Sequence, residues 1–182
     1  MKVIFLDHQG VMCITDITQN ARVPIHDKSK FLELATFDTQ NVSFLNKLLS
    51  VSNDIEIVVS SDWKNRFTLT ELCTLYNEYN INKVPIDCTP FVSYAQYSVS
   101  NYAHARSLEI KTWLENNKGK EDKGKRENKE NKESISDWIV IDDLDMREYF
   151  DQNNFIHITD PKIGLMMLDL EKVLQYNFFK SL

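Results

Sequence analysis

Val3 to Leu6 is a short apolar run without polar alternation, and further strand-like runs recur at residues 55–59, 138–141 and 155–158. Such runs suit strands buried on both faces. A weaker run at 84–87 contains Pro85, which lacks a backbone donor and favours an edge or irregular position. Between the runs the apolar period changes to that of a helix. Val42, Phe44, Leu45, Leu48 and Leu49 follow a capping residue at Asp38 or Thr39, and Leu69, Leu72, Leu75, Tyr76 and Tyr79 mark a second helix. Residues 105–115, with Leu108, Ile110, Trp113 and Leu114, mark a third. A short helix at 146–150 and a closing helix at about 166–178 complete the pattern. Alternating strands and helices imply an α/β fold, a parallel sheet with helices on both faces, whose ligands bind at the carboxyl ends of the strands.

Two stretches break the pattern. Residues 13–37 have no firm period and include Pro24, so an irregular flap is expected there. Residues 118–133 hold seven basic and five acidic side chains, two glycines and no apolar side chain. Burial there cannot offset the entropy of ordering, so about 116–135 is expected to be a flexible charged insertion. At about 100 to 200 residues per domain, the 182 residues make one domain, and 42% hydrophobic residues suffice for a core. Cys13, Cys73 and Cys88 lack zinc or redox spacing, and no run reaches the roughly 20 apolar residues that span a bilayer. A soluble, cytoplasmic protein with no membrane partner is expected. The net charge of −6 argues against bulk coating of nucleic acid.

The chemistry lies at the strand ends: Asp7, Ser60-Ser61 and Asp142-Asp143. A carboxylate can attack phosphorus if a divalent cation screens the repulsion and aligns the partners. Magnesium favours hard oxygen ligands, which Asp7 and Asp142 or Asp143 can supply. A hydroxyl from Ser60 or Ser61 can donate to a phosphoryl oxygen, and Arg106 or Lys111 can neutralise charge building there. Trp63, Trp113 and Trp138 lie beside predicted elements and read as packing residues. His104 and His157 lack metal-ligand spacing, and nothing marks the Cys13 thiol as activated.

The ordered set Val3-Ile4-Phe5-Leu6-Asp7-x-x-Gly10-Val11, Ile57-Val58-Val59-Ser60-Ser61-x-Trp63-Lys64, Arg106-x-x-Glu109-Ile110-x-x-Trp113-Leu114 and Ile139-Val140-Ile141-Asp142-Asp143 resembles the haloacid dehalogenase (HAD) superfamily. More narrowly it resembles the small HAD domains associated with RNA-repair (Swiss Army Knife) proteins. Thr89-Pro90 and Thr159-Asp160-Pro161-x-x-Gly164-Leu165 fit the same group. The resemblance implies a Rossmann-like sheet without a large cap domain. It implies Asp7 as nucleophile and magnesium ligand, the Gln9 carbonyl as a further ligand, and Asp142 and Asp143 holding the metal directly or through water. Ser60 would bind phosphate, with Ser61 beside it. Arg106 opens the third motif, with Lys111 as the alternate, and Lys64 stands where that group usually has a phosphate-gripping arginine. The departure is Gln9, where phosphatases of the superfamily carry an acid/base aspartate. An amide cannot exchange a proton near neutral pH, and losing such a group typically costs about 100- to 10,000-fold. His26 or Asp27 could reach in from the flap to replace it. The implied activity is a magnesium-dependent phosphohydrolase or phosphotransferase with a phosphoaspartyl intermediate, acting on a nucleic-acid end or nucleotide. The alternative is a HAD-fold binding or regulatory module with little turnover.

Overall fold

The parallel pairing of three apolar strands organises the molecule. In the computed structural model, which describes residues 1–14, 26–34, 36–92, 101–117 and 134–166, β1 (Lys2–Leu6) lies between β2 (Ile55–Val59) and β4 (Asp137–Asp142). The edge strands β3 (Asp87–Cys88) and β5 (Phe155–His157) complete a five-stranded sheet of order β3-β2-β1-β4-β5, parallel throughout. The first three strands build outward from β1 in one direction and the last two in the other. The topological switch therefore falls between β1 and β4.

The absence of alternation follows from the two cores. Ile4, Leu6, Ile57, Val59, Ile139 and Ile141 point to one face. There they meet α2 (Thr39–Leu49) through Leu45 and Leu48, and α3 (Leu69–Glu78) through Leu72 and Tyr76. Val3, Phe5, Val58 and Val140 point to the other and meet Ile110, Trp113 and Leu114 of α4 (Tyr102–Asn117). Residues 3–6 of β1, residues 57–59 of β2 and residues 139–141 of β4 are thus buried whichever way they point, so apolar side chains follow one another there. Asp38 caps α2 by accepting from the Gln40 and Asn41 N–H groups at 2.8 and 3.1 Å. Trp63 and Trp113 are buried and Trp138 packs against the second core, the packing roles expected of them.

Several expectations shift. The run at 84–87 is displaced: Pro85 cannot donate, and pairing extends from the Ile86 N–H, bonded to the Ile57 carbonyl, to that of Thr89, bonded to Val59. Within the flap, α1 (Lys28–Leu34) forms and packs Phe31 on Trp63 and Phe67. The helix expected at 146–150 is a turn, in which the Tyr149 and Phe150 N–H groups share the Met146 carbonyl. The remaining flap residues, the charged insertion at 118–133 and the closing helix beyond Met166 lie outside the described residues. No described helix is long and apolar enough to cross a membrane.

Candidate active site

Register brings the strand ends together. Leu6 pairs with Val59 on one side and Ile141 on the other, so the next residues, Asp7, Ser60 and Asp142, emerge side by side at the switch point. The Asp7 N–H donates to the Ile141 carbonyl at 3.0 Å and the Ser60 N–H to the Leu6 carbonyl at 2.9 Å. In open α/β sheets this crevice is where ligands bind. One carboxylate oxygen from each of Asp7, Asp142 and Asp143 lies within 4.8 Å of the others. This donor set of hard oxygens suits magnesium.

The electrostatics are those of crowded negative charge. Burial raises the pKa of Asp7, against the pull of Arg106, and raises that of Asp142 further with help from the Asp7 charge. Burial, with Asp7 again adding, pushes Asp143 up to about 7. Arg106, on the buried side of α4, is the cation set among them. Its Nη1 lies 3.2 Å from Asp7 Oδ1 and 3.3 Å from Asp142 Oδ2, and also donates to the Ser60 carbonyl. Nη2 lies 3.4 Å from Asp62 Oδ1. Burial disfavours the guanidinium charge, but Asp142 and Asp7 outweigh it and hold Arg106 firmly protonated.

Hydroxyls and glycine complete the site. The Oγ atoms of Ser60 and Ser61 are buried without a hydrogen-bond partner, though the Ser61 hydroxyl is close enough to favour the ionised form of Asp7. An unpaired buried donor, Ser60, next to a second hydroxyl that serves Asp7, suits a ligand with acceptor oxygens. Gly10, at φ +76°, lets the chain pass close to Asp143. A Cβ there would lie 2.4 Å from Asp143 Oδ2 and 2.9 Å from the Pro161 Cβ. Gly164, at φ +74°, locks the later loop onto the first, and the Leu165 N–H donates to the Val11 carbonyl at 2.9 Å.

The remaining predicted residues fall in different places. Lys64 sits beside the cluster, but its Nζ is engaged by Glu109 Oε2 at 2.5 Å and Thr89 Oγ1 at 2.7 Å. Lys111, the alternate to Arg106, is turned away: its Nζ lies over the Phe150 and Tyr149 rings at 5.5 and 5.9 Å. The Gln9 amide nitrogen is buried without a partner. His8 points into the first core, where its Nε2 lies 2.7 Å from the Tyr76 hydroxyl and burial lowers its pKa to about 3. His26 is exposed and Asp27 accepts from the Lys30 N–H, so neither flap candidate joins the carboxylates. His157 rests an imidazole nitrogen 3.1 Å from the Asp143 carbonyl, His104 stacks on Tyr149, and burial raises the Cys13 thiol pKa. Sequence reasoning assigned no role to two residues, one of which, Glu109, it did place in the third motif. Glu109 is a buried carboxylate that ties Lys64 to α4, and its polar position on an otherwise buried helix face was the available signal. Asp62 was passed over as a spacer in the second motif.

The family model described as the HAD domain in Swiss Army Knife RNA repair proteins matches residues 3–170. No curated protein and no solved structure matches the chain.

Proposed function

The chain belongs to the family of HAD domains found in Swiss Army Knife RNA repair proteins, and from that membership we propose a magnesium-dependent phosphohydrolase or phosphotransferase that passes through phospho-Asp7. The observation that carries this reading is the convergence of Asp7, Asp142 and Asp143 at the switch point around Arg106. Asp7, Asp142 and Asp143, with the Gln9 carbonyl, are the residues that would hold magnesium. When bound, the ion supplies the positive charge that lets an anionic nucleophile meet an anionic phosphoryl group. Asp7 attacks phosphorus, the bond to the leaving oxygen breaks, and Arg106 faces the charge gathering on the phosphoryl oxygens. Ser60 donates its unpaired hydroxyl to that group, with the Ser61 hydroxyl beside it. The phosphorylated substrate is proposed to be a nucleic-acid end or a nucleotide, in keeping with the family.

The Gln9 amide supports a second reading, a module that binds a phosphorylated ligand with little turnover, because it offers no acid or base beside Asp7 near neutral pH. One experiment separates the two. Phosphate release from an aryl phosphate, whose leaving group needs no proton, is measured with and without magnesium in wild type and Asp7→Asn. Magnesium-dependent release that disappears in the variant supports the enzyme. Calorimetric binding of a phosphate mimic with no release from wild type supports the module.

A further inference from the structure

Hydrolysis of phospho-Asp7 needs a base that can take a proton from water, and the segment carrying Asp7 provides none. Gln9 is an amide, and His8 is turned into the core and held by Tyr76. Among the described residues, the other titratable groups around Arg106 are mostly committed. Asp142 and Asp143 belong to the proposed metal site. Glu109 has 1% of its side chain exposed and is clamped by Lys64.

Asp62 differs from all of these. It opens the 3-10 turn Asp62–Asn65 directly after Ser60-Ser61, and 65% of its side chain is exposed, against 6% for Asp7. Its Oδ1 lies 3.4 Å from Arg106 Nη2, while Asp7 Oδ1 lies 3.2 Å from Nη1. The two carboxylates thus occupy the two arms of one planar guanidinium. A phosphoryl group on Asp7 and facing Arg106 has, on the solvent side of that fork, one carboxylate open to water.

We infer that Asp62 is the general base that hydrolyses phospho-Asp7. The inference rests on the phosphoaspartyl reading above. In the step, the Asp62 carboxylate takes a proton from water as the water oxygen bonds to phosphorus. The bond from phosphorus to Asp7 breaks with its electron pair returning to the Asp7 carboxylate, inorganic phosphate departs, and Asp62 gives its proton to solvent. Attack by Asp7 uses no proton from Asp62, so among the nucleic-acid ends and nucleotides proposed above the fitting substrates are phosphoanhydrides, whose leaving groups depart unprotonated; aryl phosphates share that property and serve as probes.

The test follows the lifetime of phospho-Asp7. The full chain is mixed with 4-nitrophenyl phosphate and magnesium, quenched at intervals, and its phosphorylated form is counted by mass spectrometry while nitrophenolate is read optically. In Asp62→Asn the burst of nitrophenolate should stay within about threefold of wild type, while the phosphoenzyme lifetime lengthens about 100-fold or more. Asp62→Glu should bring that lifetime back to within about tenfold of wild type. The exposure of Asp62 makes both variants tolerable to the fold. A lifetime in Asp62→Asn within about threefold of wild type overturns the assignment. Absence of phospho-Asp7 from both wild type and Asp62→Asn, with nitrophenolate still released, is a separate result: it overturns the phosphoaspartyl reading, and the role of Asp62 falls with it.

Discussion

At the level of single residues, the site depends on a missing side chain as much as on those present. Gly10 combines a left-handed backbone with direct approach to Asp143, so a methyl group there strains the chain and displaces a carboxylate. A non-glycine residue in that conformation costs on the order of 1–3 kcal/mol. Gly10→Ala should therefore lower the melting temperature by several degrees, at roughly 2–4 °C per kcal/mol for a chain of this size. It should also weaken magnesium binding about tenfold, equivalent to 1.4 kcal/mol, as Asp143 shifts. Gly164→Ala is the control. It has the same backbone sign, but its Cβ would meet Asn41 and the Val11 carbonyl rather than a carboxylate, so stability should fall with magnesium affinity nearly unchanged. Calorimetric titration and thermal unfolding of both variants check the pair. Legibility at this scale depended on spacing. Asp7, Ser60, Asp142 and Asp143 follow strand ends and were readable, because a strand end fixes where the next side chain emerges. The choice of Arg106 over Lys111 depends on which side of one helix faces the sheet, and α4 presents Arg106 and Glu109 inward with Trp113, against amphipathic expectation. Local sequence does not encode such a burial of charge, since its partners come from three other strands' loops.

Among the elements, α3 shows how a terminus is secured away from the chemistry. Thr68 accepts from the Glu71 N–H at 3.3 Å while Glu71 Oε2 accepts from the Thr68 N–H at 2.8 Å, a reciprocal cap joined to α1 by Lys28 at 2.6 Å from Glu71 Oε1. The Lys28 bond and the Thr68 N–H hold the Glu71 carboxyl down to about 2, against an ordinary 4.5. The folded chain keeps Glu71 ionised in a range where the unfolded chain binds a proton. Its contribution is therefore complete above about pH 4.5 and lost as the pH falls toward 2. Comparing Glu71→Gln with wild type by urea unfolding should show a stability difference at pH 6 that shrinks below pH 4.5. Thr68→Ala should cost about 0.5–2 kcal/mol through loss of the same cap. The threonine and glutamate three apart before an apolar run are visible in sequence, but the Lys28 partner belongs to α1, inside a stretch with no helical period. Elements were legible where burial on both faces or a 3.6-residue period imposed a pattern. They were obscured where pairing is set from elsewhere, as in β3, whose two residues lie between the Ile86 and Thr89 N–H groups bonded to the Ile57 and Val59 carbonyls.

For the molecule as a whole, the topology forces a conflict that a cation resolves. Parallel register and the reversal of strand order at β1 and β4 put three carboxylates within 4.8 Å at a buried crevice, with Arg106 as their cation. Folding must desolvate and crowd these charges, which is why the Asp7, Asp142 and Asp143 pKa values all move upward. On the magnesium reading proposed above, the folded state should gain from the ion in a way the unfolded chain, with its carboxylates dispersed, does not. A ligand that binds only the folded state at 100 times its Kd adds about 2.7 kcal/mol. At roughly 2–4 °C per kcal/mol the melting temperature should then rise by about 5–11 °C when magnesium replaces EDTA. Asp142→Asn removes one of the crowded charges while keeping an oxygen for the Leu144 N–H, which donates to it at 2.9 Å. Its melting temperature in EDTA should equal or exceed that of wild type, because functional carboxylates are held together at the expense of stability. The magnesium-induced rise should vanish in the same variant. A rise of equal size in Asp142→Asn would mean that the ion binds elsewhere on the chain, and that the crevice between β1 and β4 is not its site.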